Sequence, residues 1–392
     1  MMLKFKKSGL ILAPLAFVLA LLVQFDSLNE VQARGGNASP EVRSIIQSLS
    51  PSEKQEFFSL DRSGRRAFIK ERMGNSSGRK AKKMPSQKAS SGESTLSKMV
   101  GVSDKSQWQG PIIDAHSQID QNTDLNKIIP WLNQAGVAQV LLSTRFKQPS
   151  TDVLKLAEQH PMRIVPSAKT KSKAFMKGFP KYRDIFEKEM HRYKYSAMAE
   201  IIMWHAAKKG VGAGKAAMDP DDERVTYMAN IARVKKIPFI AHVEFAGMEW
   251  DKDDYMNKFE AFLKVNRDLP IGLIHMGQLE FKDVVKLLPL HPNLFFLTSH
   301  ANPINAKNSR ISWTQMFDGE ELDAGWTKLI IANKERFVLA FDNVFSFHWE
   351  DTFLPQVEIW RKALAKLPPD VADAIAHRNA ERLWNLSAAK LP

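Results

Sequence analysis

From Trp108 onward, short apolar runs alternate with amphipathic segments, and this alternation limits the possible folds more than any other feature. Strands that alternate with helices form parallel sheets joined by helical crossovers. The apolar runs that predict strands are Ile112–Gln118, Val137–Thr144, Met162–Ala168, Ala197–Ile202, Pro238–Glu244, Ile271–Gly277, Leu294–Ser299 and Phe337–Asp342. The segments that predict helices are Asn126–Ala135, Thr151–Gln159, Phe175–Arg192, Asp221–Lys236, Asp254–Asn266, Phe281–Leu288, Glu321–Lys334, Leu354–Leu367 and Asp370–Leu386.

Eight such units predict an α/β protein whose main domain, residues 108–392, is a closed (β/α)8 TIM barrel. The alternative is an open, doubly wound sheet. The nucleotide-binding version of that sheet carries a Gly-rich fingerprint directly after its first strand, and this sequence has none there. The closed barrel is therefore the predicted fold.

Residues 1–33 are typical of a targeting segment. Lysines near the start give a positive region, and an apolar run follows from Leu10 to Val23. Val31-Gln32-Ala33 places small residues where signal peptidase cleaves, after Ala33. The apolar run approaches the length of a membrane span, so an uncleaved membrane anchor is the alternative. Both interpretations predict export to the periplasm or cell envelope, with membrane contact through this segment if it is retained.

Two further regions separate this segment from the barrel. Residues 34–73 predict a short helical region, since Ser39-Pro40-Glu41 and Ser50-Pro51-Ser52-Glu53 combine a cap residue, a proline and an early acid. Residues 74–107 are rich in Ser, Gly and Lys and have almost no large apolar residues. Such a composition cannot bury enough surface to fold, so it predicts a disordered, basic, low-complexity linker.

Composition excludes some classes of function. The 392 residues include no cysteine, which rules out disulfides, zinc ribbons and a thiol nucleophile. The net charge of +13 raises the question of nucleic-acid binding. The basic residues concentrate in the linker and form no recognisable reading motif, so we predict no nucleic-acid partner. The oligomeric state is left open.

The first strand carries polar residues at alternating positions. Asp114, His116 and Gln118 follow the apolar pair Ile112-Ile113, and alternate side chains of a strand share one face. Buried polar groups are costly unless something binds them. Imidazole nitrogens and amide or carboxylate oxygens are metal ligands, so this face predicts a divalent metal ion.

Other predicted strands also end in groups that can bind metal or move protons. A lone histidine at a strand end is more often structural, but the chemistry of a TIM barrel lies where its strands end, and here several such residues fall together. They are Glu200 on strand four, His242 and Glu244 on strand five, His275 on strand six, Ser299, His300 and Asn302 after strand seven, and Asp342 on strand eight.

This order of residues resembles the amidohydrolase superfamily, and more closely its amidohydrolase-related (amidohydrolase 2) branch of metal-dependent hydrolases and decarboxylases. The similar segments are Ile-Ile-Asp-Ala-His-Ser at 112–117, Met-Ala-Glu-Ile at 198–201, Ile-Pro-Phe-Ile-Ala-His at 237–242, Leu-Ile-His-Met-Gly at 273–277 and Ala-His-Arg-Asn-Ala-Glu-Arg-Leu-Trp at 376–384. The resemblance covers about Pro111 to Leu386 and leaves out the first hundred or so residues. Gln118 stands where the family has the second histidine of its His-x-His pair.

The resemblance implies one divalent ion, Zn²⁺ or a similar metal, on His116, His242 and Asp342, with Gln118 or water completing the shell. Glu200 would bridge a second metal or, as we favour, support the first. Asp342 would also be the general base, and His275 would polarise a carbonyl or act as acid and base. Residues expected to line the substrate pocket are Arg145, Trp204, His205 and His300.

The predicted function is that of an exported metal-dependent hydrolase. Its substrate would be a small molecule, which a cationic Arg145 would suit if it bears a carboxylate, and the bond cleaved would be of the C–N, C–O or lactone type. A related decarboxylation is included. The alternative is a catalytically degenerate barrel that acts as an exported binding or envelope-interaction protein.

Overall fold

The computed structural model describes Leu49, Ser50, Glu53, Phe57, Phe68 and Arg72, and residues 106–206, 216–248, 252–308 and 311–391. Two compact units are present, one largely within Met1–Lys98 and the other within Met99–Lys208 and Ala213–Pro392. The predicted targeting segment and nearly all of the predicted linker lie outside the described residues. Among the helices that are described, none is long and apolar enough to cross a bilayer.

In the first unit, the helix start expected at Ser50 forms a capping box. The Ser50 backbone N–H donates to Glu53 Oε2 at 2.8 Å, and Ser50 Oγ lies 3.4 Å from the Glu53 backbone nitrogen. Glu53 also accepts from Arg72 Nη2 at 2.6 Å, and the rings of Phe57 and Phe68 are 5.5 Å apart. These four residues are all helical, so two helical stretches contact each other here.

The second unit contains the strand–helix alternation that the sequence predicts. Its strands are β1 Ile112–Ile119, β2 Val137–Thr144, β3 Ile164–Ala168, β4 Ala197–Met198, β5 Ile201–His205, β6 Ala216–Ala217, β7 Phe239–Val243, β8 Ile271–Leu273, β9 Leu294–Leu297, β10 Phe317–Asp318, β11 Glu321–Leu322 and β12 Phe337–Val338. Its α-helices are α1 Ile128–Ala135, α2 Ser150–Gln159, α3 Lys173–Met176, α4 Tyr182–Arg192, α5 Glu223–Lys235, α6 Lys252–Val265, α7 Phe281–Leu290, α8 Pro303–Asn308, α9 Ala324–Ala332, α10 Phe353–Ala365, α11 Pro369–Asp373 and α12 Asn379–Trp384.

The parallel strands close into a barrel. Strands β1, β2, β3 and β4 pair in that order, and β5, β7, β8, β9 and β12 continue the series after a break at Ala199-Glu200. The Ala199 backbone N–H donates to Ala168 O at 2.9 Å and keeps this fourth strand joined to the third. The Ala115 N–H donates to Leu339 O at 3.1 Å, and the Asp342 N–H to His116 O at 2.8 Å, so the last strand joins the first. The fold is a (β/α)8 barrel, as predicted.

Apolar residues pack in two layers, one on each face of the strands. Alternate residues of the strands, among them Ile113, Ala115 and Phe295, fill the inside of the barrel. Trp384 of α12 joins this inner layer, with its ring centroid 5.9 Å from that of Phe295. The larger cluster lies between the strands and the surrounding helices. The packed interior leaves the carboxyl ends of the strands as the place for polar side chains.

The first strand departs from regular alternation, and this corrects the expectation that Asp114 shares a face with His116 and Gln118. The pairing of β1 with β2 shifts register between Asp114 and Ser117. Ile112 and Ile119 both pack in the outer layer, although seven residues apart in a regular strand would put them on opposite faces. The irregularity turns His116 and Gln118 towards the barrel mouth, while the Asp114 carboxylate accepts from the backbone N–H groups of His116 and Phe341.

Candidate functional site

Seven polar side chains meet at the carboxyl ends of the barrel strands. We call them the mouth cluster: His116, Gln118, Glu200, His242, His275, His300 and Asp342. Each is less than one-tenth exposed. The sequence predicted all seven as site residues, so the fold brings together what the strand-end pattern indicated.

Gln118 is at the centre of one side of the mouth cluster. Its amide nitrogen donates to Asp342 Oδ1 at 3.0 Å and to Glu200 Oε1 at 3.2 Å, and it lies 3.3 Å from His116 Nε2. His116 Nε2 is itself 3.4 Å from Asp342 Oδ1. The amide oxygen, which we expected to bind the metal, faces Lys171 Nζ at 3.5 Å. A donor nitrogen rather than a ligand oxygen therefore points into this group.

Glu200 and the remaining histidines form the other side. Glu200 Oε2 is in hydrogen-bond contact with His242 Nδ1 and lies 4.0 Å from His275 Nε2. Asp342 Oδ2 lies 3.5 Å from His275 Nε2 and 3.7 Å from His300 Nε2. The two carboxylates thus link all four imidazoles. Glu200 Oε1 and Asp342 Oδ1 face His116, and the other oxygen of each carboxylate faces the remaining histidines.

The backbone is strained at three members of the mouth cluster. His275, His300 and Asp342 have φ values of 55°, 62° and 51°, the left-handed region that non-glycine residues rarely adopt. Such a conformation costs on the order of 1–2 kcal/mol per residue. Strain of this kind concentrates at functional sites, where the surrounding structure holds a side chain in one direction.

Burial and neighbouring charges shift the pKa values of the mouth cluster in opposite directions. Burial raises the pKa of both carboxylates, but the charges of Lys171 and His242 hold the pKa of Glu200 well below its usual range, and the surrounding imidazoles hold the pKa of Asp342 low. Burial would lower the pKa of His242, yet its pairing with Glu200 raises it. Both carboxylates are therefore ionised near neutral pH.

His275 differs from His242 in its protonation. Burial, together with the charge of His300, holds the pKa of His275 well below 6.5, so its ring is neutral near pH 7. Ser299 Oγ lies 2.9 Å from His275 Nδ1 and accepts from the His275 backbone N–H at 3.1 Å. The His300 ring stacks on His275 with centroids 4.6 Å apart, and Trp313 lies 5.1 Å from it. The ring is therefore fixed in orientation as well as in charge.

The predicted pocket residues have different locations. Arg145 lies over the rings of Phe146 and Phe345, at 4.6 and 5.3 Å from their centroids. His205 stacks on His242 at 5.2 Å and reaches Glu244 Oε2 at 3.6 Å, beside the mouth cluster. Trp204, by contrast, is buried in the outer hydrophobic layer of the barrel wall, which does not support its predicted role as a pocket residue.

Lys171 belongs to the candidate site but was not predicted from the sequence. Its ammonium is in hydrogen-bond contact with Glu200 Oε1, and Glu200 is 1% exposed. Lys171 follows β3 by three residues, in Ala-Lys-Thr-Lys at 168–171. A lysine just beyond a buried strand was the available signal, but two lysines share this stretch, and nothing local tells which one turns inward.

The donor set suits a divalent ion of the zinc type. Among the described residues, four groups have ligand atoms within 4.8 Å of one another. They are Glu200, His242 and His275; His116, Glu200 and Asp342; His275, His300 and Asp342; and His205, His242 and Glu244. Buried imidazole nitrogens and carboxylate oxygens are the usual ligands of Zn²⁺. His116, His242 and Asp342, the ligands expected from the resemblance, do not form one such group, since Glu200 is the residue that connects them.

No family model and no curated protein matches the sequence. Solved structures do match: an uncharacterised TIM-barrel protein from Bordetella bronchiseptica has a TM-score of 0.46 and 16% identity, over 67% of this chain and 83% of that one. A probable 2-pyrone-4,6-dicarboxylic acid hydrolase from Acinetobacter baumannii, with citric acid bound, has a TM-score of 0.42 and 10% identity, over 70% and 99%. An amidohydrolase from Burkholderia multivorans with bound zinc has a TM-score of 0.41 and 10% identity, over 70% and 99%.

Identities of 10–16% are too low to transfer an activity. The chemistry proposed for this chain has to come from its own side chains.

Proposed function

We propose that this protein is a metal-dependent hydrolase of the amidohydrolase-related type, which acts on a C–N, C–O or lactone-type bond of a small molecule. The observation that carries the proposal is the mouth cluster, in which four imidazoles and two carboxylates lie buried and within ligand distance at the barrel mouth. Single buried ionisable residues are often structural. Six of them converging where a TIM barrel places its chemistry favour a catalytic metal site.

Glu200, His242 and Asp342 are the residues that would hold the ion, whereas His116, a ligand expected from the resemblance, faces the amide nitrogen of Gln118 on the other side of the two carboxylates. When bound there, a zinc-type ion acidifies water and polarises a carbonyl. Asp342 is ionised over the working pH range and can accept a proton from a water molecule near its Oδ2. A neutral His275, fixed by Ser299, can donate a hydrogen bond to the oxygen of the scissile group. It can also take up the proton that Asp342 accepts from water, 3.5 Å away, and pass that proton to the leaving group.

A carboxylated substrate is part of the proposal. Arg145 lies at the end of β2 and Lys171 just beyond β3; burial lowers the pKa of Lys171, and the nearby charge of Arg145 lowers it further. Two neighbouring cations beside an acidic centre would attract and orient an anionic group. We also propose export to the periplasm or cell envelope, which the sequence pattern of residues 1–33 supports.

The test of the metal site is metal content, measured by elemental analysis of purified protein equilibrated with zinc and then dialysed. We expect bound zinc in the wild type and a large loss in His242→Ala and Asp342→Asn. His291→Ala is the matched control, because His291 is also a buried histidine, paired with Glu260 at 3.2 Å in a different part of the barrel.

Activity is tested in parallel with a panel of esters, lactones and amides, with and without a carboxylate group. Turnover that requires the ion and disappears in His242→Ala supports the hydrolase. A folded protein that binds no ion and turns over nothing in the panel would contradict it and would favour the alternative of a degenerate binding protein.

A further inference from the structure

Lys171 and Glu200 form a buried pair within the proposed metal site, and this deepens the proposed function, on which it rests. The Lys171 side chain is 19% exposed and that of Glu200 is 1% exposed. The Lys171 ammonium contacts Glu200 Oε1, on the side of the carboxylate that also faces His116 Nε2, at 3.8 Å. The Lys171 charge therefore lies at the position that an ion bound to Glu200 Oε1 would take.

Gln118 places a second hydrogen-bond donor on the same side of the two carboxylates as Lys171. Its amide nitrogen donates to Glu200 Oε1 and Asp342 Oδ1, while its oxygen faces Lys171. An amide nitrogen carries two hydrogens and has no lone pair to offer a metal. Three possible ligand atoms, on His116, Glu200 and Asp342, are thus gathered around the donors of Lys171 and Gln118.

The opposite oxygen of each carboxylate is in a different environment. Glu200 Oε2 faces His242 and His275, and Asp342 Oδ2 faces His275 and His300. These neighbours are imidazoles, whose ring nitrogens are usual ligands of zinc-type ions. A lysine ammonium has three N–H donors and no lone pair, so it competes with a cation for Glu200 instead of binding one.

We propose that Lys171 is a built-in cation that takes the place of a second divalent ion at Glu200 and so limits the centre to a single ion. Lys171 is then a positioning residue: it neutralises Glu200 Oε1, holds the Gln118 oxygen, and leaves Glu200 Oε2 for the ion that the proposed hydrolase uses. Removing its charge should open the His116 side to a second ion.

The experiment counts zinc ions per chain at saturating zinc in full-length wild type, Lys171→Met and Lys171→Arg. Lys171→Met has similar length without charge, and Lys171→Arg keeps the charge. We expect one ion in the wild type, two in Lys171→Met and one in Lys171→Arg. Adding His116→Ala to Lys171→Met should return the count to one, because His116 belongs to the newly opened side.

Lys171→Gln gives a second reading if the methionine variant does not fold, because glutamine keeps a hydrogen-bond donor beside Glu200 but carries no charge. The inference is overturned if the wild type binds two ions, or if folded neutral variants bind the same number as the wild type with unchanged affinity. The proposed function fails differently: the wild type would then bind no ion. A wild type without an ion beside a Lys171→Met variant with one would still support the role of Lys171 as the resident cation.

Discussion

Asp114 shows at the scale of one residue how a polar group can serve the site without belonging to it. Its carboxylate accepts from the backbone N–H groups of His116 at 3.2 Å and Phe341 at 3.0 Å, and from Ser117 Oγ at 2.5 Å. Burial is the largest influence on its pKa and raises it to about 7, although these hydrogen bonds oppose the shift. Asp114 therefore fastens β1 to the last strand immediately next to His116.

The substitution Asp114→Asn should destabilise the barrel. The side-chain oxygen of the variant could keep the two backbone donors, but its amide nitrogen would face Ser117 Oγ, which also receives the Asn343 N–H at 3.0 Å. A buried hydroxyl would lose its acceptor, at a cost of about 1–3 kcal/mol in the free energy of unfolding. Denaturant unfolding of wild type and Asp114→Asn measures this difference in the free energy of unfolding. The control is Asp254→Asn, an exposed substitution that should change stability by less than ~1 kcal/mol.

Ser299 provides a prediction about function at the same scale. Its hydroxyl contacts both the ring and the backbone nitrogen of His275, so Ser299→Ala should leave the ring free to turn. Loss of an outer hydrogen-bond partner at a metal site typically lowers activity by about tenfold to a hundredfold. We expect a loss of that size in kcat, with a smaller change in KM.

The control for Ser299→Ala is Ser143→Ala. Ser143 is buried on β2, and its Oγ has no hydrogen-bond partner among the described residues. Equal activity losses in the two variants, measured on protein with full zinc content, would show that the Ser299 hydroxyl does not position His275.

At the scale of elements, the sequence predicted most strands and helices but not the turn that presents His275. The predicted and observed bounds of β2 agree, at Val137–Thr144, because apolar periodicity alone sets them. Strand β8 was expected to run to Gly277 but ends at Leu273, and His275, Met276, Gly277 and Gln278 all have positive φ. Only packing in the folded barrel imposes such a run on non-glycine residues, so no local pattern could indicate it.

The same limit applies to β1 and to Lys171. Alternation correctly predicted that His116 and Gln118 share a face, but the register shift that separates Asp114 from them depends on the pairing with β2. The direction of Lys171 likewise depends on Glu200, a residue from the next strand. Strand ends are predictable from the sequence, whereas irregular backbone and the choice among nearby charges are set by tertiary contacts.

Gly277 allows the left-handed turn to be tested as an element. Its φ is 65°, and an added Cβ would lie 2.5 Å from Leu273 Cδ2 and 2.9 Å from Leu273 Cγ. Gly277→Ala should therefore shift the turn that carries His275, with a loss of stability of about 1–3 kcal/mol and reduced kcat.

Gly319→Ala is the matched control for this prediction. Gly319 has a similar φ of 61°, but an added Cβ there meets nothing within 4 Å. Both variants carry the same backbone penalty, so the difference between them isolates the packing of the turn against Leu273. If both lose the same stability and Gly277→Ala keeps full activity, the turn does not depend on that packing.

At the scale of the whole molecule, the proposed ion and the fold should stabilise each other in a pH-dependent way. In the metal-free chain, pairing with Glu200 raises the pKa of buried His242 above 6.5 despite the opposing effect of burial. A histidine with a raised folded pKa stabilises the fold fully below the unfolded value and loses this contribution as pH rises through the folded value. The metal-free protein should therefore become less stable as pH increases above about 6.5.

The stabilisation that zinc provides should instead increase with pH, because an ion bound to His242 replaces the proton that pairing with Glu200 retains. The apparent affinity of the protein for zinc then increases with pH over the same window. A ligand that binds only the folded state stabilises it more as the ratio of ligand concentration to Kd increases. The gap in Tm between zinc-loaded and chelator-treated protein should widen as pH rises above about 6.5. Thermal unfolding at a series of pH values measures this gap, and His291→Ala should reproduce it, since His291 pairs with Glu260 outside the mouth cluster. A gap that stays constant or narrows with rising pH would mean that the ion does not displace a proton from His242.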